Sequence, residues 1–274
     1  MSSSGSGARV ELAPLLADVQ AEADDLAGVV GGRPERDWDL ATPAEGWTVR
    51  DQIAHLAYFD GATVTALSDP AAFAELRQRV FESPQSYQAE VDHLARRPGP
   101  ELLAGWMAGR KAMVEAFGAA DPAVRVPWFG PDMSVASKAT ARLMETWAHG
   151  QDVADALGVE RRPTARLRHV AHIGVRAFPN SYRARGMEVP DVSVAVVLRG
   201  PAGERWEWGP PDAPDRVEGP ALDFCLVVTQ RRHVDDTRLV TTPGPARRWM
   251  EVAQAFAGPP GAGRRPGQFP PPRS

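Results

Sequence analysis

The sequence predicts a mainly α member of the α+β class: an antiparallel helical bundle over residues 11–160, then a small α+β domain over residues 161–258. Three observations carry that prediction. Apolar residues recur at helical spacing through the first half of the chain. The period changes to alternation only at "DVSVAVVLRG", residues 191–200. Pro and Gly cluster between the periodic segments, where antiparallel helices need their connections.

The elements follow in order. Leu12, Leu15, Leu16, Val19, Ala23, Leu26 and Val30 form one apolar stripe on a helix over 11–31, which Gly31-Gly32 ends. In "ATPAEGWTVRD" Pro and Gly break the chain, and Thr48 with Asp51 caps a second helix that runs to about Leu67. "PAAFAELRQR" predicts a short helix near 70–79. "SPQSYQAEVDHLARR" and "GPELLAGWMAGRKAMVEAFGAA" predict a helix pair parted at Pro98-Gly99-Pro100. "DPAVRVPWFGPDM" holds too many prolines for a regular element. "SVASKATARLMETWAHGQDVADALG" predicts a long helix stopped by Gly158. "TARLRHVAHIGVRAFPNSYRARG" is helical up to Pro179. Strands then fall in "DVSVAVVLRG", "ERWEWGP", "PDRVEGP" and "TRLVTT", with helices in "ALDFCLVVTQRR" and "GPARRWMEVAQAFAG". Residues 1–10 and the Pro/Gly-rich tail 259–274 are expected to be unfolded.

Composition narrows the function. A net charge of -4 gives no basic field for nucleic acid or an anionic membrane. No apolar run reaches the ~18–20 residues of a membrane span, and "MSSSGSGARVE" has no apolar signal core. The one cysteine, Cys225, excludes a disulfide within the chain and a multi-thiolate zinc site, and it points to the cytoplasm. In "LDFCLVV" it reads as a buried, inert thiol. Lys111 and Lys138 are the only lysines, so Schiff-base chemistry has two candidates. There is no G-x-S-x-G elbow and no Gly-rich phosphate loop between a strand and a helix.

One constellation carries chemistry. Glu145 and His149 are four residues apart in a helix, so both aim at one point. His55, on another helix of the bundle, can be a third ligand. Zinc and similar divalent ions take His nitrogen and carboxylate oxygen, and catalytic sites use three protein ligands with one open position. Periodicity alone also allows a solvated face for Glu145 and His149 and a core histidine for His55.

The surrounding residues favour the metal. Gly46-Trp47-Thr48-Val49-Arg50-Asp51 with His55-Leu56, followed far downstream by Glu145, His149 and Asp152, resembles the two metal-binding helices of the DinB-like superfamily. Residues 11–160 most resemble its mycothiol-dependent maleylpyruvate isomerase branch. "FCLVVTQRRHVDDT" and "RRWMEVAQAFAG" resemble the tail of actinobacterial DinB-like proteins, in which it is labelled a wyosine-type domain. The resemblance implies a four-helix bundle with His55, Glu145 and His149 holding zinc or another divalent ion such as nickel. It also implies mycothiol as thiol co-substrate. The activity would be thiol transfer to, or isomerisation of, a small electrophilic molecule. Three alternatives use the same residues: a metal-binding protein without catalysis, a metal-dependent hydrolase, and a carrier with a structural metal.

Several further residues bear on the site. Asp152 can hold a ring N–H of His149, or pair with Arg142 or Arg161. Trp47 and Trp147 can wall the cavity or simply pack the core. "QRRHVDD" gathers Arg231, Arg232, His233, Asp235 and Asp236, as a solvated loop or as a lid bringing cations to an anionic substrate. His169 and His172 share a helix face but have no third ligand. No residue is assigned as acid or base.

Overall fold

A computed structural model of the chain describes residues 11–269. The expectation for residues 1–10 therefore lies outside the described residues, as do residues 270–274. In chain order the helices are α1 (Leu12–Val30), α2 (Glu35–Trp38), α3 (Val49–Ser68), α4 (Pro70–Glu82), α5 (Pro84–Ala95), α6 (Gly99–Ala119), α7 (Val135–Leu157), α8 (Leu167–Arg176), α9 (Phe178–Arg183), α10 (Ala221–Val228) and α11 (Pro245–Val252). The strands are β1 (Arg125–Val126), β2 (Met133–Ser134), β3 (Val194–Arg199), β4 (Arg205–Trp208), β5 (Asp215–Pro220) and β6 (Val240–Thr241). The class is α+β and mainly α, as the periodicities predict. No helix among the described residues is long and apolar enough to cross a membrane.

The chain forms two compact units. One comprises residues 11–33 with Ile53–Arg142, the other Pro34–Gln52 with Leu143 onward. Helices α3 and α7 are each continuous, and each contributes residues to both units.

In the first unit the stripe on α1 is buried from Leu15 to Val30. It packs against α6, which buries Leu102, Trp106, Met113 and Phe117. Each such side chain stabilises the fold by about 1.5–3 kcal/mol. The proline-rich segment between α6 and α7 contains a short ladder, with Arg125 opposite Ser134 and Val126 opposite Met133. Pro127 and Pro131 fall in its connection, where no ladder N–H is required.

A buried ion cluster ties three helices of this unit. Asp60 on α3 is fully buried. One oxygen accepts from Trp106 Nε1 at 3.0 Å and lies 2.8 Å from Arg110 Nε, both on α6. The other accepts from Arg142 Nε and a terminal nitrogen of the same guanidinium, at 3.0 and 2.8 Å, on α7. Burial pushes the Arg110 guanidinium below its ordinary pKa, against the pull of Asp60.

The second unit contains a four-stranded sheet in the order β4-β3-β5-β6. β3 pairs antiparallel with β4 and parallel with β5, and β5 pairs antiparallel with β6. Helix α10 packs against α8, and α10 and α11 pack against β5. Cys225 on α10 is buried, and its thiol donates to Leu167 O at 3.4 Å. Burial pushes that thiol's pKa well up. Pro179 does not end the helical region as expected. It lies in the first turn of α9, where a missing N–H costs nothing. The closing helix stops at Val252, earlier than expected.

The segment before α3 is a tight loop. Ala41 and Thr48 form a bridge across it, and Gly46 turns the chain at φ 77°, a region open to glycine. Asp51 accepts from the backbone N–H and hydroxyl of Thr48 at 2.8 and 2.6 Å, which is the expected cap. Gly158, at φ 64°, follows the end of α7, also as expected.

Residues 259–269 form no regular element but bond to two carboxylates. Arg264 bonds Asp152 at 2.7 Å, and the N–H groups of Gly267 and Phe269 donate to Asp236 at 2.7 and 3.3 Å. Two buried carboxylates thus hold a segment whose composition signals disorder.

Candidate metal centre

His149 is 9% exposed, and a chain of hydrogen bonds sets its tautomer. The Thr42 hydroxyl donates to Trp47 O at 2.9 Å, so its oxygen is left to accept. It accepts from Gln52 Nε2 at 3.0 Å. That contact orients the amide, and Gln52 Oε1 faces His149 Nδ1 within hydrogen-bonding distance. A carbonyl oxygen only accepts, so Nδ1 carries a proton, and in the neutral imidazole Nε2 keeps its lone pair. Trp47 stacks on the ring, with centroids 5.8 Å apart and planes at 20°.

The other ring nitrogen meets an acid. His149 Nε2 is 3.3 Å from Glu145 Oε2, one helical turn earlier on α7. A proton on Nε2 or a metal ion between the two groups would each make that contact attractive. Ligands at about 2.0–2.1 Å from a tetrahedral zinc stand about 3.3 Å apart, so the spacing fits a shared ion.

His55 follows Gln52 by three residues and so shares its face of α3. The His55 ring packs against Phe59 at 4.6 Å. Among the described residues, His55, Glu145 and His149 form one group whose ligand atoms all lie within 4.8 Å of one another. Two imidazoles and one carboxylate are a donor set suited to zinc.

The other residues named from the sequence have different partners. Asp152, 1% exposed, accepts from Arg231 at 3.1 and 2.8 Å and from Arg264 at 2.7 Å, while Gln52 faces the His149 Nδ1. Arg232 binds Asp155 at 2.7 and 2.8 Å. The cations after α10 are therefore stapled to the last turns of α7. His233 Nδ1 accepts from Asp235 N at 3.2 Å and caps a short 3-10 turn over Val234–Asp236. Trp147 is buried, its carbonyl accepting from Arg161 at 2.8 Å and its ring 5.9 Å from that guanidinium. His172 Nδ1 accepts from Trp208 Nε1 at 3.3 Å, a structural role. Gln52 went unrecognised in the sequence. The signal that could have found it is its place three residues before His55.

Gln52 gives a prediction. Gln52→Leu is expected to weaken metal binding about 10–100-fold, because a metal-bound imidazole depends on the partner of its other nitrogen. Gln52→Glu, which still accepts from Nδ1, is expected to lose less. Competition with a chromogenic chelator measures both, and equal affinity in all three proteins would remove the relay from the site.

The mainly α fold and the grouping of His55, Glu145 and His149 point to a class. The chain belongs to the family of the mycothiol maleylpyruvate isomerase N-terminal domain, whose model matches residues 19–154. Among particular proteins, it is 46% identical over 252 residues to an uncharacterized protein of Mycobacterium tuberculosis, found in two strains, covering 92% of this chain and 98% of that one. Crystal structures of the mycothiol-dependent maleylpyruvate isomerase and of a histidine-to-alanine mutant of it match with a TM-score of 0.59 at 16% identity, over 86% of this chain and 94% of theirs. At that identity the match establishes the fold.

Proposed function

We propose that the protein is an enzyme that uses mycothiol, or a similar low-molecular-weight thiol, on a small electrophilic organic molecule. The outcome is isomerisation when the thiol leaves again and S-transfer when it stays. We assign one divalent ion, zinc or another such as nickel, to His55, Glu145 and His149. The carrying observation is the His149 ring, whose Nδ1 faces Gln52 and whose Nε2 lies 3.3 Å from Glu145. Family membership supports the thiol.

When bound there, a divalent metal would supply Lewis acidity that favours the thiolate over the thiol. The chain's own residues prepare for it. Gln52 keeps the proton on Nδ1, so His149 needs no tautomer change on loading. Glu145 brings the single negative charge of the donor set, which leaves the site attractive to an anion. Trp47 covers one face of the His149 ring and limits water there. Cys225 is buried, so the reacting sulfur comes from an external thiol.

Titration of the cobalt-substituted protein tests this reading. Mycothiol is expected to add a sulfur charge-transfer band in the near ultraviolet and to bind better than glutathione or bacillithiol. Binding should release a proton and tighten by up to about tenfold per pH unit below the thiol's pKa of roughly 8–9. If no thiol perturbs the cobalt spectrum while the metal form hydrolyses a substrate, bound water has replaced the thiolate and the hydrolase reading takes over.

A further inference from the structure

We propose that the second unit carries a separate binding site for the phosphate group of a small metabolite. The site is a cavity of about 260 Å³ lined by Arg185, Arg232, His233, Arg264 and Arg265, among others. It is built by four stretches of chain: the residues after α9, the end of α10 with the residues after it, the end of α11, and the tail around 262–266.

The cations outnumber the acids that face them. Arg232 is neutralised by Asp155. Arg264 shares the single carboxylate of Asp152 with Arg231, so one of those two charges is left over. The Arg264 Nε–H is buried and makes no hydrogen bond. Arg185 donates to Ser181 O, Val252 O and Gln254 Oε1, all neutral acceptors. Among the described residues neither Arg185 nor Arg265 has a carboxylate partner, and the Arg265 side chain makes no bond. Glu251 also lines the cavity but is paired with Arg247 and Arg248, each at 3.1 Å. Burial lowers the pKa of both guanidiniums, helped at Arg185 by Arg248, and at Arg264 by Arg231 against the pull of Asp152.

A buried donor without an acceptor is costly, and so is a cluster of uncompensated guanidiniums. Guanidiniums without a carboxylate partner around a cavity call for an oxyanion as ligand. Three charges are left over, which favours a phosphate, with roughly -1.5 to -2 at neutral pH and three acceptor oxygens, over a single carboxylate. The cavity volume leaves room for a short organic body attached to it.

Calorimetry of the intact protein at fixed ionic strength, with three probes sharing one carbon skeleton, tests the assignment. Glycerol 3-phosphate is expected to bind saturably at one site per chain. Glycerate should bind at least tenfold more weakly, and glycerol not at all. Arg265→Gln should weaken the phosphate at least tenfold with the melting temperature unchanged, because that side chain holds nothing in the fold. His55→Ala, which removes a proposed metal ligand from the other unit, should leave the phosphate affinity as it was. Absence of saturable binding, equal affinity for glycerate, or unchanged affinity in Arg265→Gln would each overturn the proposal. Loss of binding in His55→Ala would overturn it too, by placing the phosphate on the metal.

Discussion

His149→Ala is expected to reduce bound metal from about one divalent ion per chain to a small residue, because the three ligands proposed leave no redundancy. The effect should be larger than for Gln52→Leu, which removes only a partner of the ligand. His55→Ala should match it, since the two imidazoles contribute equivalent bonds. Glu145→Gln is informative in a different way. It keeps an oxygen donor but removes the one negative charge, so it should bind metal more weakly yet measurably. Elemental analysis after purification and after dialysis against chelator reads all three. Full metal content in either alanine variant would show that the ion lies elsewhere.

Asp60→Asn is expected to cost about 3–5 kcal/mol of stability, the usual consequence of leaving buried charge without its partner. The carboxylate faces two guanidiniums, those of Arg110 and Arg142, both almost wholly buried. An amide can still accept from Trp106 Nε1, but it neutralises neither cation. Adding Arg110→Met to Asp60→Asn should return part of the loss, because one orphaned charge is then gone. Urea unfolding gives the comparison. A cost below about 1 kcal/mol, of the size found for exposed pairs, would show that water reaches the cluster.

Local chemistry made most of this fold readable. The stripe on α1, the Thr48–Asp51 cap and the glycine after α7 are each set by residues within one or two turns of one another, and all three appear as expected. Pairings distant in sequence were not readable. Asp152 lies one turn beyond His149, so the sequence offered it as that ring's partner or as a partner of Arg142 or Arg161. Its actual partners are 79 and 112 residues away. Gln52 meets His149 across 97 residues, and a glutamine inside a helix carries no signal of its own. The bonds of the tail were unreadable for the same reason. Composition reports that 259–269 cannot build a core, but it does not report that Asp152 and Asp236 wait for its donors.

On the proposed function, the burial of Cys225 also bears on how the protein would survive its own reactants. An enzyme that brings a nucleophilic sulfur to an electrophile risks being alkylated itself. Here the chain's single thiol is sealed in α10, its proton bound towards Leu167 O and its ionisation suppressed by burial. Alkylation and peroxide oxidation both proceed through the thiolate, so each should pass this protein by. Electrophiles should therefore consume the small thiol and leave the folded protein unmodified. Maleimide or iodoacetamide should likewise label it only after denaturation.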